Sequence, residues 1–278
     1  MTVLTLTTLI ALGSFGAGML GALTGLGGGM IIVPMLTLLF GVDIRYAIGA
    51  SLVSVIATSS GAAAAYVREG YTNIRIGMLL EIATTCGALI GAYVAGLIST
   101  SAIAIIFSLV LVYSAYRSFQ PRDEHGTGGA SDRWAIRLRL EGTFPTPNGM
   151  QAYSVHRVPV GFSLMFVAGI LSGLLGIGSG AVKVLAMDQA MRLPFKVSTT
   201  TSNFMIGVTA AASAGVYLHR GYIDPGLALP VMLGVLAGAL TGARILTVAK
   251  VGALRTVFSI VIVGLAIEML YKGIRGGL

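Results

Sequence analysis

Charge is what this chain has least of. Only 10% of its 278 residues are Asp, Glu, Lys or Arg, against about 25% in an ordinary soluble domain. Acidic groups are the scarcer sign: ten, against eighteen Lys and Arg, for a formal net charge of +8. With 55% of residues hydrophobic, so few charges cannot cover a water-exposed surface, and a soluble globule is excluded. The basic excess lies in short loops and at the ends of apolar segments, which is a topology signal, so nucleic acid is not an expected partner. The single cysteine, Cys86, excludes an intrachain disulfide. His125, His156 and His219 all fall in or beside loops, and no Cys/His/Asp group has metal-ligand spacing. No metal or cofactor is expected. The phosphate-cradling pattern GxxxxGK[ST] is absent, as is any visible nucleophile–base arrangement, so neither an enzyme nor ATP-driven pumping is expected. The N-terminal MTVLTLTTLIALGSFGAG lacks the basic leader of a signal peptide and reads as a first membrane segment.

Glycine, by contrast, is plentiful at 39 residues. In lipid, small residues let helices approach closely where no hydrophobic effect drives them together. Gly21/Gly25, Gly87/Gly91 and Gly234/Gly238/Gly242 carry the four-residue spacing that puts glycine on one helix face. The glycines also mark a duplication. Residues 21–34 read GALTGLGGGMIIVP and residues 172–185 read SGLLGIGSGAVKVL. At an offset of 151 (Gly176 against Gly25) and without gaps, residues 25–92 match 176–243 at fifteen of 68 positions. Gly70-Tyr71 coincides with Gly221-Tyr222, Tyr66 with Tyr217, and Gly87-Ala88-Leu89 with Gly238-Ala239-Leu240. A glycine-interrupted apolar segment at corresponding points of two halves is the best sequence pointer to a transporter's binding site.

Apolar runs near the roughly 20 residues needed to span a bilayer occupy 3–24, 47–66, 73–97, 101–118, 159–175, 197–217, 223–248 and 252–271. Shorter pieces near 29–41 and 180–192 follow each glycine break. The expected fold is an all-α polytopic membrane protein of two homologous repeats, 1–118 and 159–278. Each repeat holds four spans and a glycine-broken half-helix, eight spans and two half-helices in all. If the half-helices re-enter, the loops divide eleven basic residues against six; if they cross, giving ten spans and inverted repeats, thirteen against four. The second obeys the positive-inside rule better, while the segment lengths favour the first. Both put the soluble inter-repeat loop 119–158 in the cytoplasm. In it, Trp134, Ile136, Leu138 and Leu140 alternate with Arg137, Arg139 and Glu141, the period of a half-buried strand. Pro147-Asn148-Gly149 offers a turn before MQAYSVHRV returns, so a small β-hairpin is expected.

The candidate site follows from the breaks. An interrupted helix leaves backbone polar groups that lipid cannot satisfy, so the break must be buried in protein or line a wet cavity. A half-helix starting there directs its positive end into that cavity, and glycine admits an anion to the backbone. Gly25, Gly27, Gly28 and Gly29 of the first tract, and Gly176, Gly178, Ser179 and Gly180 of the second, are therefore expected substrate contacts. Lys183 stands where the first repeat has Ile32. At membrane depth a lysine costs about 2.5–3.5 kcal/mol and is a functional hypothesis by default; here it would balance an anion, pair with Asp188 or snorkel. Ser51 and Ser202, which coincide under the offset, and Asn203 can donate to oxyanion oxygens without bringing charge into lipid. Arg45 and Lys196 also coincide, as entrance charges or interfacial anchors. Glu81, mid-span, is a candidate for proton coupling.

The tracts GLGGG (25–29) with Pro34 and GIGSG (176–180), the Gly-Tyr loops and the GALTGARIL stretch at 238–246 resemble the sulfite exporter TauE/SafE family of membrane permeases. The resemblance covers nearly the whole chain outside 119–158. It implies a bacterial or archaeal inner-membrane, multi-pass carrier of about eight spans moving sulfite, sulfoacetate, thiosulfate or similar small anions. A proton or a sodium ion is the candidate coupling partner. Ser179 in place of the middle glycine, and Lys183 with Leu185 in place of a valine-proline ending, depart from the family pattern. An intramembrane enzyme acting on lipid-linked phosphate, or a membrane scaffold that transports nothing, are the competing readings. The glycine faces permit a homodimer without requiring one.

Overall fold

Long uncharged runs of Leu, Ile, Val, Ala and Gly close their backbone hydrogen bonds within the segment, and in lipid the helix is one of few structures that can. The computed structural model describes residues 3–24, 28–68, 70–119, 131–146, 149–178, 180–246 and 251–276. The first half runs α1 (Val3–Thr24), α2 (Gly29–Leu39), α3 (Ile44–Arg68), α4 (Ile74–Ala95) and α5 (Thr100–Phe119). The insert holds α6 (Arg133–Arg137), β1 (Gly142–Thr146) and β2 (Gly149–Tyr153). The second half runs α7 (Val158–Leu175), α8 (Gly180–Leu185), a π-helical turn (Ala186–Ala190), α9 (Phe195–His219), α10 (Pro225–Leu246) and α11 (Val251–Arg275). Four of these, α1, α4, α7 and α10, are long and apolar enough on their own to cross a bilayer. The chain is a mostly helical, polytopic membrane protein.

The half-helices fall where the glycine breaks placed them, and they match in length. α2 covers 29–39, and α8 with its π turn covers 180–190, the same eleven positions at the 151 offset. Both end alike. Val42 N–H donates to Leu36 O across Gly41 (φ +64°), and Leu193 N–H donates to Met187 O across Arg192 (φ +55°). This is a Schellman-type end, whose left-handed position favours glycine.

Packing runs between the halves. α1 packs chiefly on α10, α4 on α7, α3 on α9 and α5 on α11. Glycine makes the approaches possible, and they come in related pairs. A Cβ at Gly87 would strike the Phe166 carbonyl, and one at Gly238 the Phe15 carbonyl; one at Gly169 would strike Thr84 O, and one at Gly18 Val235 O. The tight faces are those of helices meeting backbone to backbone.

Arg45, at the start of α3, lies 5.8 Å from the ring of Tyr222, just past the end of α9. Lys196, at the start of α9, lies 5.7 Å from the ring of Tyr71, just past the end of α3. The two helices therefore run antiparallel, and the coincident cations are spent on each other's loops as cation–π contacts. Arg45 also donates to Ile98 O at 2.9 Å.

The insert differs from its expectation in one respect. A hairpin does follow the Pro147-Asn148-Gly149 signal, with Gly142 opposite Tyr153 and Thr146 opposite Gly149; residues 147 and 148 lie outside the described residues. The first strand, however, begins at Gly142, and 133–137 is a helical turn. The alternation of Trp134, Ile136 and Leu138 never meets a core, since all three are exposed while Ala135 and Leu140 are buried. Asn73 ties the insert to the helices. Its side chain donates to Leu140 O (2.9 Å) and to the Tyr153 hydroxyl (2.6 Å), and accepts from Ile76 N–H as the cap of α4. Burial raises the Tyr153 phenol above its usual range, the Asn73 amide pulling the other way. His156 N–H donates to Met191 O, so the segment following the second break returns to the face on which α7 begins.

Candidate functional site

α2 is buried along its whole length from Gly29 to Leu38, which is what a helix interrupted inside a membrane requires. It starts at Gly28, whose carbonyl accepts from Ile31 and Ile32 N–H. The two breaks meet here. The space a Cβ would take at Gly29 is closed by Ser51 Oγ at 2.9 Å, Val55 at 3.2 Å and the carbonyl of Gly176 at 3.3 Å. In the second tract Gly176 and Gly178 have φ of +65° and +68°, conformations that glycine adopts freely. Gly178 is flanked by Ile206 and Val55, two residues that coincide under the 151 offset.

The two serines are hydrogen-bonded to the breaks themselves. Ser51 Oγ donates to Gly176 O at 2.8 Å, and Ser202 Oγ to Gly180 O at 3.3 Å. The Ser51 proton thus satisfies a carbonyl past the end of α7 that no helix turn partners, the Ser202 proton reaches a carbonyl in the first turn of α8, and each serine oxygen remains an acceptor. Gly180 opens α8, and Asn203 is half-buried beside Ser202. Gly28 turns away from this point, with Val235 and Ile32 as the nearest neighbours of its missing Cβ. Gly25, Gly27 and Ser179 lie outside the described residues.

Lys183 is fully buried one turn into α8. Its Nζ donates to Thr209 Oγ1 at 2.6 Å, and Thr209 Oγ1 donates to Glu81 Oε1 at 2.7 Å. Thr85 Oγ1 donates to the same carboxylate oxygen at 3.0 Å, while Glu81 Oε2 has no hydrogen-bond partner among the described residues. The candidate charge-balancing residue and the candidate coupling residue, treated separately on sequence, are joined by one hydroxyl. Leaving either charge alone in this interior would cost several kcal/mol; the pair and its hydroxyls offset that. Thr209 was not singled out by sequence reasoning, although it coincides with Thr58 among the fifteen matches. Its partners do not repeat, since Ile32 and Met232 stand where Lys183 and Glu81 would recur. Thr209 shares one face of α9 with Ser202 and Ile206, at spacings of seven and three residues, so the triad adjoins the tract at 178–180.

Several curated proteins are similar to this chain. The membrane protein YunE of Bacillus subtilis, described as a probable membrane transporter, is 29% identical over 265 residues, covering 93% of this chain and 95% of its own. YdhB of the same organism, described likewise, is 27% identical over 237 residues, 85% and 89% of the two chains. A probable membrane transporter protein of Xylella fastidiosa is 25% identical over 276 residues, 98% and 97%. No solved structure gives a significant match. The profile described as "Sulfite exporter TauE/SafE" matches residues 10–269, which takes in both glycine tracts, the triad and the insert. This integral membrane protein belongs to the TauE/SafE family.

Proposed function

We propose that the protein is a secondary carrier of small anions, of the sulfite, sulfoacetate and thiosulfate class, working by alternating access around the point where the two glycine breaks meet. The carrying observation is that junction itself. Gly29, Ser51 and Gly176 O converge there, and a buried lysine stands one turn beyond Gly180. The relatives' names support transport, and the family's name supports a sulfur oxyanion. Lys183 supplies the positive charge, the glycine backbone the close approach, and Ser51, Ser202 and Asn203 polar atoms around them. Glu81 is the acid available for coupling to a proton.

In this reading the halves are inverted units of five segments each, so α2 and the α8–π segment are short crossings and the chain crosses ten times. The alternative is eight spans with re-entrant half-helices. The antiparallel α3 and α9 support ten crossings, as does the return of Met191 to the face where α7 begins. The thirteen-to-four division of basic residues then puts the 119–158 insert in the cytoplasm of a bacterial or archaeal cell.

The test is uptake of radiolabelled sulfite, sulfoacetate and thiosulfate into proteoliposomes by wild type, Lys183→Ala and Gly29→Val. Saturable wild-type flux, lost in both variants, is the expected result. Full flux in Gly29→Val would remove the junction from the mechanism, and turnover of lipid-linked phosphate without flux would favour an enzyme.

A further inference from the structure

We infer that Lys183, Thr209 and Glu81 form a charge-exchange device that obliges one proton to travel with each monovalent anion. The inference rests on the carrier reading and specifies its coupling. Three observations carry it: the hydroxyl bridge from Lys183 Nζ through Thr209 to Glu81 Oε1, the burial of all three side chains, and the unpartnered Glu81 Oε2. Thr209 has a single hydroxyl proton. Besides the Met205 carbonyl of its own helix at 3.1 Å, it can be donated to Glu81 Oε1 or to an anion held by Lys183, but not to both.

The charges then restrict which states can cross. With no substrate, Lys183⁺ and Glu81⁻ sum to zero. An anion taking Thr209 and Lys183 from Glu81 leaves a net negative interior, which the membrane interior disfavours. A proton from the water on that side, bound at Glu81 Oε2, returns the sum to zero. Empty and doubly loaded carriers are neutral and can reorient; a carrier holding only the anion or only the proton is not. After reorientation the anion leaves, the proton departs from Oε2 to the opposite solution, and Glu81 recovers the Thr209 hydrogen bond.

Among the described residues few other charges face this group; α3, packed on α9, carries Arg45 at its start, held over the Tyr222 ring. α7 carries no ionisable side chain between Val158 and Leu175. α9 carries Lys196 at its start and Tyr217 and His219 at its end, the lysine lying over Tyr71. α4 adds Arg75 at its first turn, whose guanidinium donates to Arg139 O, with exposed Cys86 and Tyr93. Asp188, on the π turn after α8, is buried and already engaged.

The probe is methanesulfonate, whose charge is fixed across the physiological range. In proteoliposomes with the membrane potential clamped, an inward proton gradient should drive wild-type accumulation above the equilibrium level. Glu81→Gln, a fixed mimic of the protonated acid, should lose that accumulation. Methanesulfonate bound by Glu81→Gln should take up no proton from solution. Accumulation at wild-type level in Glu81→Gln would overturn the proposal. A second measurement needs no variant. Adding methanesulfonate to wild-type protein in weakly buffered detergent solution should remove about one proton from solution per anion bound, and binding without proton uptake would overturn it. Saturable wild-type flux indifferent to the proton gradient refutes the coupling and leaves the carrier; no flux of methanesulfonate, sulfite, sulfoacetate or thiosulfate refutes the carrier reading, and the coupling with it.

Discussion

A lysine with no access to water stays charged only beside a counterion, so Lys183 and Glu81 should be energetically one unit. Lys183→Met strands a carboxylate and should destabilise the detergent-solubilised protein by about 3–5 kcal/mol, whereas Lys183→Met combined with Glu81→Gln should recover most of that loss. A denaturant titration of the two single variants and the double variant measures the coupling. Equal, additive losses would show the residues to be independent. Arg192 tests a different kind of cost. It occupies the left-handed position that Gly41 fills in the first half, at a penalty of about 1–2 kcal/mol for a side-chain-bearing residue. Arg192 is exposed, so Arg192→Gly should raise stability by up to about 1 kcal/mol, read as an upward shift of the thermal unfolding midpoint. Lys183 was legible in the sequence because a charge at membrane depth is expensive wherever it occurs. Its pairing with Glu81 was not, because Glu81 lies in the other half and only the α4–α9 packing brings it near. That the two serines pair with carbonyls at the breaks was not legible, since sequence does not reveal which way a hydroxyl donates.

At the scale of the helix, the glycines divide by what they face. Gly87 and Gly238 lie against carbonyls of the neighbouring helix, and Gly264 has open space around the position of its missing Cβ. Gly87→Ala and Gly238→Ala should therefore each lower stability by about 1–3 kcal/mol, the usual range for overpacking. Gly264→Ala should raise it by about 0.5–1 kcal/mol through helix propensity. Thermal unfolding of the three variants separates glycines that permit packing from those that do not. The approximate limits of the long helices were readable because apolar length and glycine punctuation are local properties. The 134–141 strand was misread because alternation signals a strand only when one face finds a core. Here Leu140 is buried beside Asn73, while Trp134, Ile136 and Leu138 point outward.

Over the whole molecule, orientation is what composition left undecided, because segment length and loop charge pointed to different arrangements. The pairs Arg45–Tyr222 and Lys196–Tyr71 decide the relative direction of α3 and α9 through contacts that no single half contains. In a Cys86→Ser background, Glu141→Cys in the insert should react with a membrane-impermeant maleimide only from the cytoplasmic side. Leu97→Cys, between α4 and α5, should react only from outside. Labelling of both from one side would refute the ten-crossing arrangement. The cross-packing of the halves also bears on how the protein is made. α4 buries its glycine face against α7, and α10 against α1, so a ribosome that has released only the first half has produced helices whose docking surfaces do not yet exist. The early helices must wait in the bilayer, exposed to proteases and quality control, until the later ones are inserted. Severed between the halves and co-expressed, the two fragments should find each other and accumulate, while either expressed alone should be degraded.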